Sequence, residues 1–166
     1  MCKECRGRKG NIPCAAALEA IGPVTTFTNR LQTAPRLIKT AAAWTGMQFL
    51  QLKWPAPDYV VPIPPMWFRA LFKEAPSFML ARELAHLLGC EVRRPLIRVQ
   101  ESGGEGSLQR DFFLKKKSSL SGKTVLLVDD LLDVRAFREA SYALASQFPQ
   151  RIYGLALASS IYTQKH

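Results

Sequence analysis

The sequence lacks any apolar run approaching the roughly 20 residues that a membrane-spanning helix needs. Its richest apolar stretch, residues 41–52, is short and is interrupted by Gly46, Gln48 and Gln51. The amino terminus is basic, but no apolar signal core follows it, so we expect a cytoplasmic protein without membrane insertion. The chain has no internal repeat and no low-complexity segment. Its 166 residues therefore suit one globular domain with at most a small appendage.

Acidic residues are scarce in this chain. There are 13 aspartates and glutamates against 23 lysines and arginines, which gives a formal net charge of +10. Such an excess favours polyanionic partners such as nucleic acid, phosphorylated metabolites or anionic lipid. A basic surface can also serve solubility alone, so the net charge does not identify a partner.

Two groups of cations predict contacts with single-stranded nucleic acid. The first is a run of three lysines, and the second lies among the aromatic residues of the stretch 67–72. Rings interleaved with cations suit single strands, because bases stack on the rings while phosphates bind the cations. The alternative is that these rings pack beneath the edge of a sheet. We predict weak, sequence-tolerant binding of single-stranded DNA through Lys115, Lys116, Lys117 and Arg69.

Cysteine is also rare, with four in the chain. Cys2 and Cys5 have the spacing of a zinc knuckle, but no second CxxC follows to supply the usual four ligands. Cys14 could supply a third thiolate. The fourth ligand would have to be Cys90, His86, His166 or a residue of another chain. We expect the metal site of Cys2 and Cys5 to be incomplete and zinc to be absent.

One apolar run carries the strongest signal of function. Residues 124–128 are apolar or β-branched without alternation, which predicts a strand buried on both faces, and Asp129 and Asp130 follow. From 133 to 147 apolar residues, Phe137 among them, recur at helical spacing, with Asp133 as a candidate N-cap. Ligands of open α/β sheets sit at the carboxyl ends of strands, so the acid pair marks a candidate ligand site. The alternative is an ordinary solvated strand end.

The remaining segments complete a doubly wound parallel α/β domain. Prolines stop the first predicted strand, and Gly89 closes the second predicted helix. We predict helices over 35–53 and 76–88, and further strands over 59–63, 91–98 and 152–159. Residues 1–22 form a basic amino-terminal segment with a remnant cysteine knuckle, and residues 23–166 form the α/β domain.

The order of these segments resembles a known family. Residues 128–132 resemble the phosphoribosyl-pyrophosphate signature of type I phosphoribosyltransferases. Residues 60–65 resemble the VVPVPL strand of the ComF competence family, 80–85 its LA-x-x-LA helix, and 120–130 its LxGKxVLLVDD segment. The resemblance covers about residues 1–160. It implies a parallel doubly wound sheet of the phosphoribosyltransferase type and a role in DNA uptake during natural transformation.

The resemblance also implies a division of labour among the site residues. Asp129 and Asp130 would contact the ribose hydroxyls of phosphoribosyl pyrophosphate. A loop of the form TTGAT would follow and wrap the 5′-phosphate with backbone N–H groups at a helix start. Pro64, Pro65 and Lys73 would belong to the pyrophosphate loop. An active member would use Mg²⁺ with phosphoribosyl pyrophosphate.

This chain departs from the family at the phosphate loop. The five TTGAT positions are occupied by Asp133, Val134, Arg135, Ala136 and Phe137, so the glycine and all three threonine hydroxyls are absent. Asp133 also adds a negative charge where a phosphate would bind. We therefore predict a ComF-like protein with a degenerate, inactive site. The alternatives are an active phosphoribosyltransferase with a variant phosphate loop, and a module that binds a competence helicase or another protein.

Overall fold

The computed structural model describes residues 12–19, 23–31, 34–65, 74–98, 112–114 and 119–159. A single 3₁₀ turn, Pro35–Leu37, precedes the second helix. The elements in chain order are β1 (Cys14–Glu19), α1 (Pro23–Arg30), α2 (Ile38–Gln51), β2 (Tyr59–Pro62), α3 (Pro76–Leu88), β3 (Glu91–Val92), β4 (Leu96–Arg98), β5 (Phe112–Leu114), β6 (Thr124–Leu132), α4 (Val134–Ala145) and β7 (Arg151–Ser159).

Five strands form one parallel sheet in the order β1-β7-β6-β2-β3. The central strand is β6, and its residues 125–128 are completely buried. Both neighbours of β6 run parallel to it, with Val60 opposite Leu126 on one side and Tyr153 opposite Leu126 on the other. The predictions of a parallel doubly wound sheet and of a buried strand before the acid pair are confirmed.

Helices cover both faces of the sheet. Leu126 and Val128 pack with residues of α2 and α3, whereas Val125 and Leu127 pack with residues of α4. Alternate side chains of a strand point to opposite faces, so a strand that is covered twice must be apolar at every position. This burial explains why the run lacks the alternation of a half-exposed strand.

The helices predicted over 35–53 and 76–88 are confirmed as the 3₁₀ turn with α2 and as α3. Pro76 lies in the first turn of α3, where a missing N–H has no cost. Gly89 ends α3 with a φ of 67°, a conformation that glycine adopts without steric penalty. Within the described ranges, none of the helices has the length and apolar character needed to cross a membrane.

The prediction of one strand over 91–98 is wrong. Only β3 joins the parallel sheet, and the chain leaves it before the buried Pro95, which cannot donate a ladder hydrogen bond. The following strand β4 pairs antiparallel with β5 instead. Leu96 and Phe112 of this small sheet are buried with the residues of α4. The β4–β5 pair therefore lies on the α4 face of the main sheet.

Neither β1 nor α1 was predicted from the sequence. β1 lies within the amino-terminal segment 1–22 and pairs parallel with β7, with Cys14 opposite Gly154. Cys14 and Ala15 are buried, so this part of the segment contributes to the core. The predicted division at residue 22 stays a prediction, because residues 1–11 and 20–22 lie outside the described residues.

Candidate functional site

The sheet reverses its direction of winding between β2 and β6. From β2 the chain passes through α3 to β3 on one side, and from β6 it passes through α4 to β7 on the other. The carboxyl ends of β2 and β6 therefore flank the crevice where ligands bind in open α/β sheets. The Ile63 N–H donates to the Val128 carbonyl at 2.9 Å, so Pro64 and Pro65 follow directly beside Asp129 and Asp130. The structure brings these two predicted groups of site residues together.

The acid pair lies within β6 and not beyond its end. The strand continues to Leu132, which pairs with Ser159 of β7. On its other side the β2 pairing ends with Pro62 opposite Val128. From Asp129 onward, β6 keeps β7 as its neighbour and loses β2, and both aspartates are half-buried. The end of β2 thus leaves the acid pair at the wall of the crevice.

The carboxylate of Asp129 is electrostatically destabilised. Burial, followed by the charge of Asp130, raises the pKa of Asp129 well above its ordinary value of 3.8. The rise in this pKa is partly offset because Asp129 Oδ1 accepts a hydrogen bond from the Asp130 N–H at 2.9 Å. Arg98 also opposes the rise in the pKa of Asp129. A ligand that donates hydrogen bonds, such as a sugar hydroxyl, would stabilise this carboxylate.

The sequence did not predict that Arg98 acts on the acid pair. Arg98 ends β4, and its guanidinium carbon lies 5.1 Å from the ring centroid of Phe112 on β5. The antiparallel pairing of these two short strands brings its charge near Asp129. No local pattern links residues 98 and 129, so no signal in the sequence could have identified this neighbour.

Asp133 caps α4, as the sequence predicted. Its Oδ1 accepts from the Arg135 N–H at 2.9 Å and from the Ala136 N–H at 3.2 Å. These amides belong to the free N–H groups at a helix start, which are the donors that bind phosphate in other proteins. Two of the donors at this end of α4 are therefore bound by a carboxylate of the same chain.

The other four positions of the predicted phosphate loop form the first turn of α4. The Arg135 Nε donates to Glu139 Oε1 at 2.8 Å, so its guanidinium is directed one turn along the helix. Val134 is half-buried. Ala136 and Phe137 are buried in the core between α4 and the sheet, and Phe137 is the largest fully buried side chain among the described residues. The capped helix start is therefore the part of this segment that is closest in sequence to the acid pair.

Within the described ranges, no group of three or more histidine, cysteine, aspartate or glutamate side chains is arranged to hold a metal ion. Cys14 starts β1 and Cys90 precedes β3, at opposite edges of the sheet. Four strand spacings separate these edges, which is about 19 Å. The option in which Cys14 and Cys90 share one zinc ion is therefore wrong.

Cys90 is also an unfavourable zinc ligand by its own chemistry. Burial, followed by the charge of Asp58, raises the pKa of the Cys90 thiol, which disfavours the thiolate that zinc requires. Cys2, Cys5 and His166 lie outside the described residues.

Several other predicted contact residues also lie outside the described residues. They are Lys73 of the predicted pyrophosphate loop, and Arg69, Lys115, Lys116 and Lys117 of the predicted nucleic-acid surface. Their roles stay predictions.

Comparison with solved structures identifies the fold. The chain is similar to a purine phosphoribosyltransferase from Pyrococcus horikoshii Ot3, with a TM-score of 0.52, 17% identity, and coverage of 75% of this chain and 74% of that chain. It is also similar to adenine phosphoribosyltransferase from Leishmania tarentolae, with a TM-score of 0.50, 13% identity, and coverage of 80% and 74%. A third similar structure is the glutamine phosphoribosylpyrophosphate amidotransferase of B. subtilis, with a TM-score of 0.50, 16% identity, and coverage of 70% of this chain and 26% of that one.

A scan against protein-family models gives no match, and a search of curated proteins gives no significant match. Identities of 13–17% show the fold alone. The chain therefore has the α/β fold of the type I phosphoribosyltransferases.

Proposed function

We propose that this chain is a ComF-like protein of the phosphoribosyltransferase fold whose ribose-phosphate site is degenerate. It would act in the cytoplasm in DNA uptake during natural transformation, bind single-stranded DNA weakly, and cooperate with a competence helicase. The order of the VVPIPP, LARELA and LSGKTVLLVDD segments supports the ComF relationship. The net charge of +10 supports a nucleic-acid partner.

The observation that carries the degenerate site is the cap of α4. The carboxylate of Asp133 accepts hydrogen bonds from the Arg135 and Ala136 amides, at 2.9 and 3.2 Å. A 5′-phosphate bound at this helix start would have to displace the carboxylate or bind close to its negative charge. Two like charges about 4 Å apart repel by roughly 1 kcal/mol in water and by more in a less polar crevice.

Phe137 supports the same proposal from the opposite side of the helix. A threonine at this position would supply a hydroxyl to a phosphate loop, but the Phe137 ring fills the core beneath α4. Recovering the loop would therefore require repacking of the core as well as a change of the exposed residues. Asp129 and Asp130 still line the crevice, so weak contacts with a ribose diol remain compatible with the geometry.

Calorimetric titration with phosphoribosyl pyrophosphate and Mg²⁺ tests this proposal. We expect no saturable binding by the wild-type chain and no release of pyrophosphate with common bases or amines. Asp133→Ser keeps a capping oxygen and removes the charge, so it should gain weak phosphate binding. Asp133→Glu keeps the charge and is the matched control, which should show no gain.

Turnover of phosphoribosyl pyrophosphate by the wild-type chain would overturn the degenerate site and favour an active enzyme with a variant loop. The nucleic-acid part has its own measurement, the anisotropy of a labelled oligothymidylate at increasing salt. Each phosphate contact contributes about 0.7 to the slope of log affinity against log salt. Replacing Lys115, Lys116 and Lys117 by glutamate should flatten this slope, and an unchanged slope would remove them from the proposed surface.

A further inference from the structure

Phe148 combines two unfavourable features. Its side chain is 78% exposed, the most exposed of the large hydrophobic side chains in the described residues. Its φ is 53°, in the left-handed region that bulky residues rarely adopt. A left-handed residue commonly ends a helix, and Phe148 follows the end of α4, but glycine or asparagine normally occupies such a position. The end of the helix explains the left-handed backbone at Phe148. It does not explain why this residue is a phenylalanine, because the ring is not buried and the backbone conformation does not favour it.

Hydrogen bonds hold the Phe148 backbone in place. Its N–H donates to the Ala145 carbonyl at 3.0 Å, and its carbonyl accepts from the Gly122 N–H at 3.0 Å. Two residues later, the Gln150 N–H donates to the Lys123 carbonyl at 2.9 Å. The loop between α4 and β7 is thus fixed against the turn before β6, and the ring is presented at the amino end of the sheet by an ordered backbone.

Two basic residues, Arg151 and Lys123, lie near the backbone of Phe148. Arg151 lies three residues further on and is exposed, and its Nη1 donates to the Tyr153 hydroxyl at 3.3 Å. Lys123 forms an ion pair with Asp58 at 3.1 Å, whereas none of the ion pairs between described residues includes Arg151. In the sequence, the predicted lysine cluster 115–117 ends two residues before Ser119, just ahead of the turn that binds Phe148.

We propose that Phe148 is a stacking residue for the bases of single-stranded nucleic acid, with Arg151 contacting the adjacent phosphates. Exposed rings with cations nearby in the chain are typical of proteins that bind single strands with little sequence preference. This inference rests on the proposed DNA binding and gives it a location. The location is the amino end of the sheet, opposite the crevice at Asp129, so ligand binding in the crevice and nucleic-acid binding would be separable.

The test is Phe148→Gly, measured by anisotropy with a labelled oligothymidylate and by thermal unfolding. Glycine adopts the required φ without steric cost, so the Tm of the variant is expected to be at least that of the wild type. Loss of one base–aromatic stack should weaken DNA binding by roughly 5- to 150-fold. A structural role for the ring would give the opposite result, with lower Tm and unchanged affinity.

Two controls make the test specific. Leu50→Ala removes another exposed apolar side chain, 70% exposed on α2, and should leave the affinity unchanged. An oligomer of abasic sites keeps the phosphates but has no bases, so it should bind wild type and Phe148→Gly equally. Arg151→Ala should weaken the binding of both oligomers and reduce the salt slope by about 0.7.

Equal affinity of wild type and Phe148→Gly for oligothymidylate would overturn the stacking role and leave the proposed DNA binding intact. A difference between the two proteins on the abasic oligomer would also overturn it, since the ring would then act without bases. Failure of the wild-type chain to bind either oligomer would instead remove the DNA-binding part of the proposed function, and this inference with it.

Discussion

The ring of Phe137 occupies the space that a side chain at position 154 would need. A Cβ added to Gly154 would lie 2.6 Å from Phe137 Cδ1 and 2.8 Å from Cys14 Sγ. Gly154 lies on β7, Phe137 on α4 and Cys14 on β1. Phe137, a position of the predicted phosphate loop, therefore packs where α4, β1 and β7 approach one another closely.

Gly154→Ala should destabilise the fold by about 1–3 kcal/mol, because the new methyl group overfills a packed core. Phe137→Leu should cost less when combined with Gly154→Ala than it does alone, since the smaller side chain relieves part of the clash. Urea unfolding of the two single variants and the double variant gives the coupling energy directly. Strictly additive free energies would contradict the contact.

Gly46→Ala is the matched control for this substitution. A Cβ at Gly46 would meet Leu84 Cδ1 at 3.6 Å, an ordinary van der Waals distance, within α2. Alanine is a better helix former than glycine, so the variant should be as stable as wild type or more stable, by up to about 1 kcal/mol. A large loss of stability at Gly46 would show that the sheet is no more sensitive to added volume than the helix.

Asp133→Ala should cost about 1 kcal/mol of unfolding free energy, because the Arg135 and Ala136 amides lose their acceptor. Asp133→Asn should lose much less, since asparagine is an equally good cap. Urea unfolding at neutral pH compares the two variants. Similar losses in both would show that charge, rather than hydrogen bonding at the helix start, is the main contribution.

Asp129→Asn should be more stable than wild type at neutral pH. The folded-state pKa of Asp129 is raised by burial and by Asp130, so the ionised wild type carries a penalty that the amide lacks. The penalty is complete above the folded pKa and disappears as the pH falls toward the ordinary value of 3.8. The unfolding free energies of wild type and Asp129→Asn should therefore converge as the pH falls from 8 to 4. A constant difference between them would contradict the raised pKa of Asp129.

Asp58→Asn should change the unfolding free energy in the opposite direction to Asp129→Asn. The hydrogen bond from the Thr124 N–H, followed by Lys123, lowers the pKa of Asp58 below its ordinary value. Its contribution to stability is thus complete above about pH 3.8 and is lost as the pH falls through the folded pKa. The variant should be less stable than wild type at pH 7, with the difference shrinking only in stronger acid.

The parts of the fold that sequence analysis predicted carry local signals. The continuous apolar run of β6, the helical spacing of α4 with Asp133 before it, and Gly89 after α3 each report their own conformation within a few residues. The spacing also placed Phe137 on the buried face of α4, while the family resemblance placed it in a phosphate loop. Its complete burial agrees with the spacing.

The parts that were missed depend on distant partners. β1 is rich in alanine, which has little preference for strands, and it becomes a strand by pairing with β7. Likewise, β4 follows Pro95 and pairs with the distant strand Phe112–Leu114, outside the main sheet. The influence of Arg98 on Asp129 follows from that same pairing and has no trace in the spacing of residues 98 and 129.

The pairing of β1 with β7 also constrains how the chain is made. Cys14 and Gly154 lie opposite each other in the sheet, although they are 140 positions apart in the sequence. Among the described strands, β1 has β7 as its ladder partner, so this edge of the sheet cannot close until β7 has been synthesised. Contacts between residues so far apart in sequence slow folding. Of the strands in the described ranges, β1 is therefore the one that waits longest during synthesis for its ladder partner.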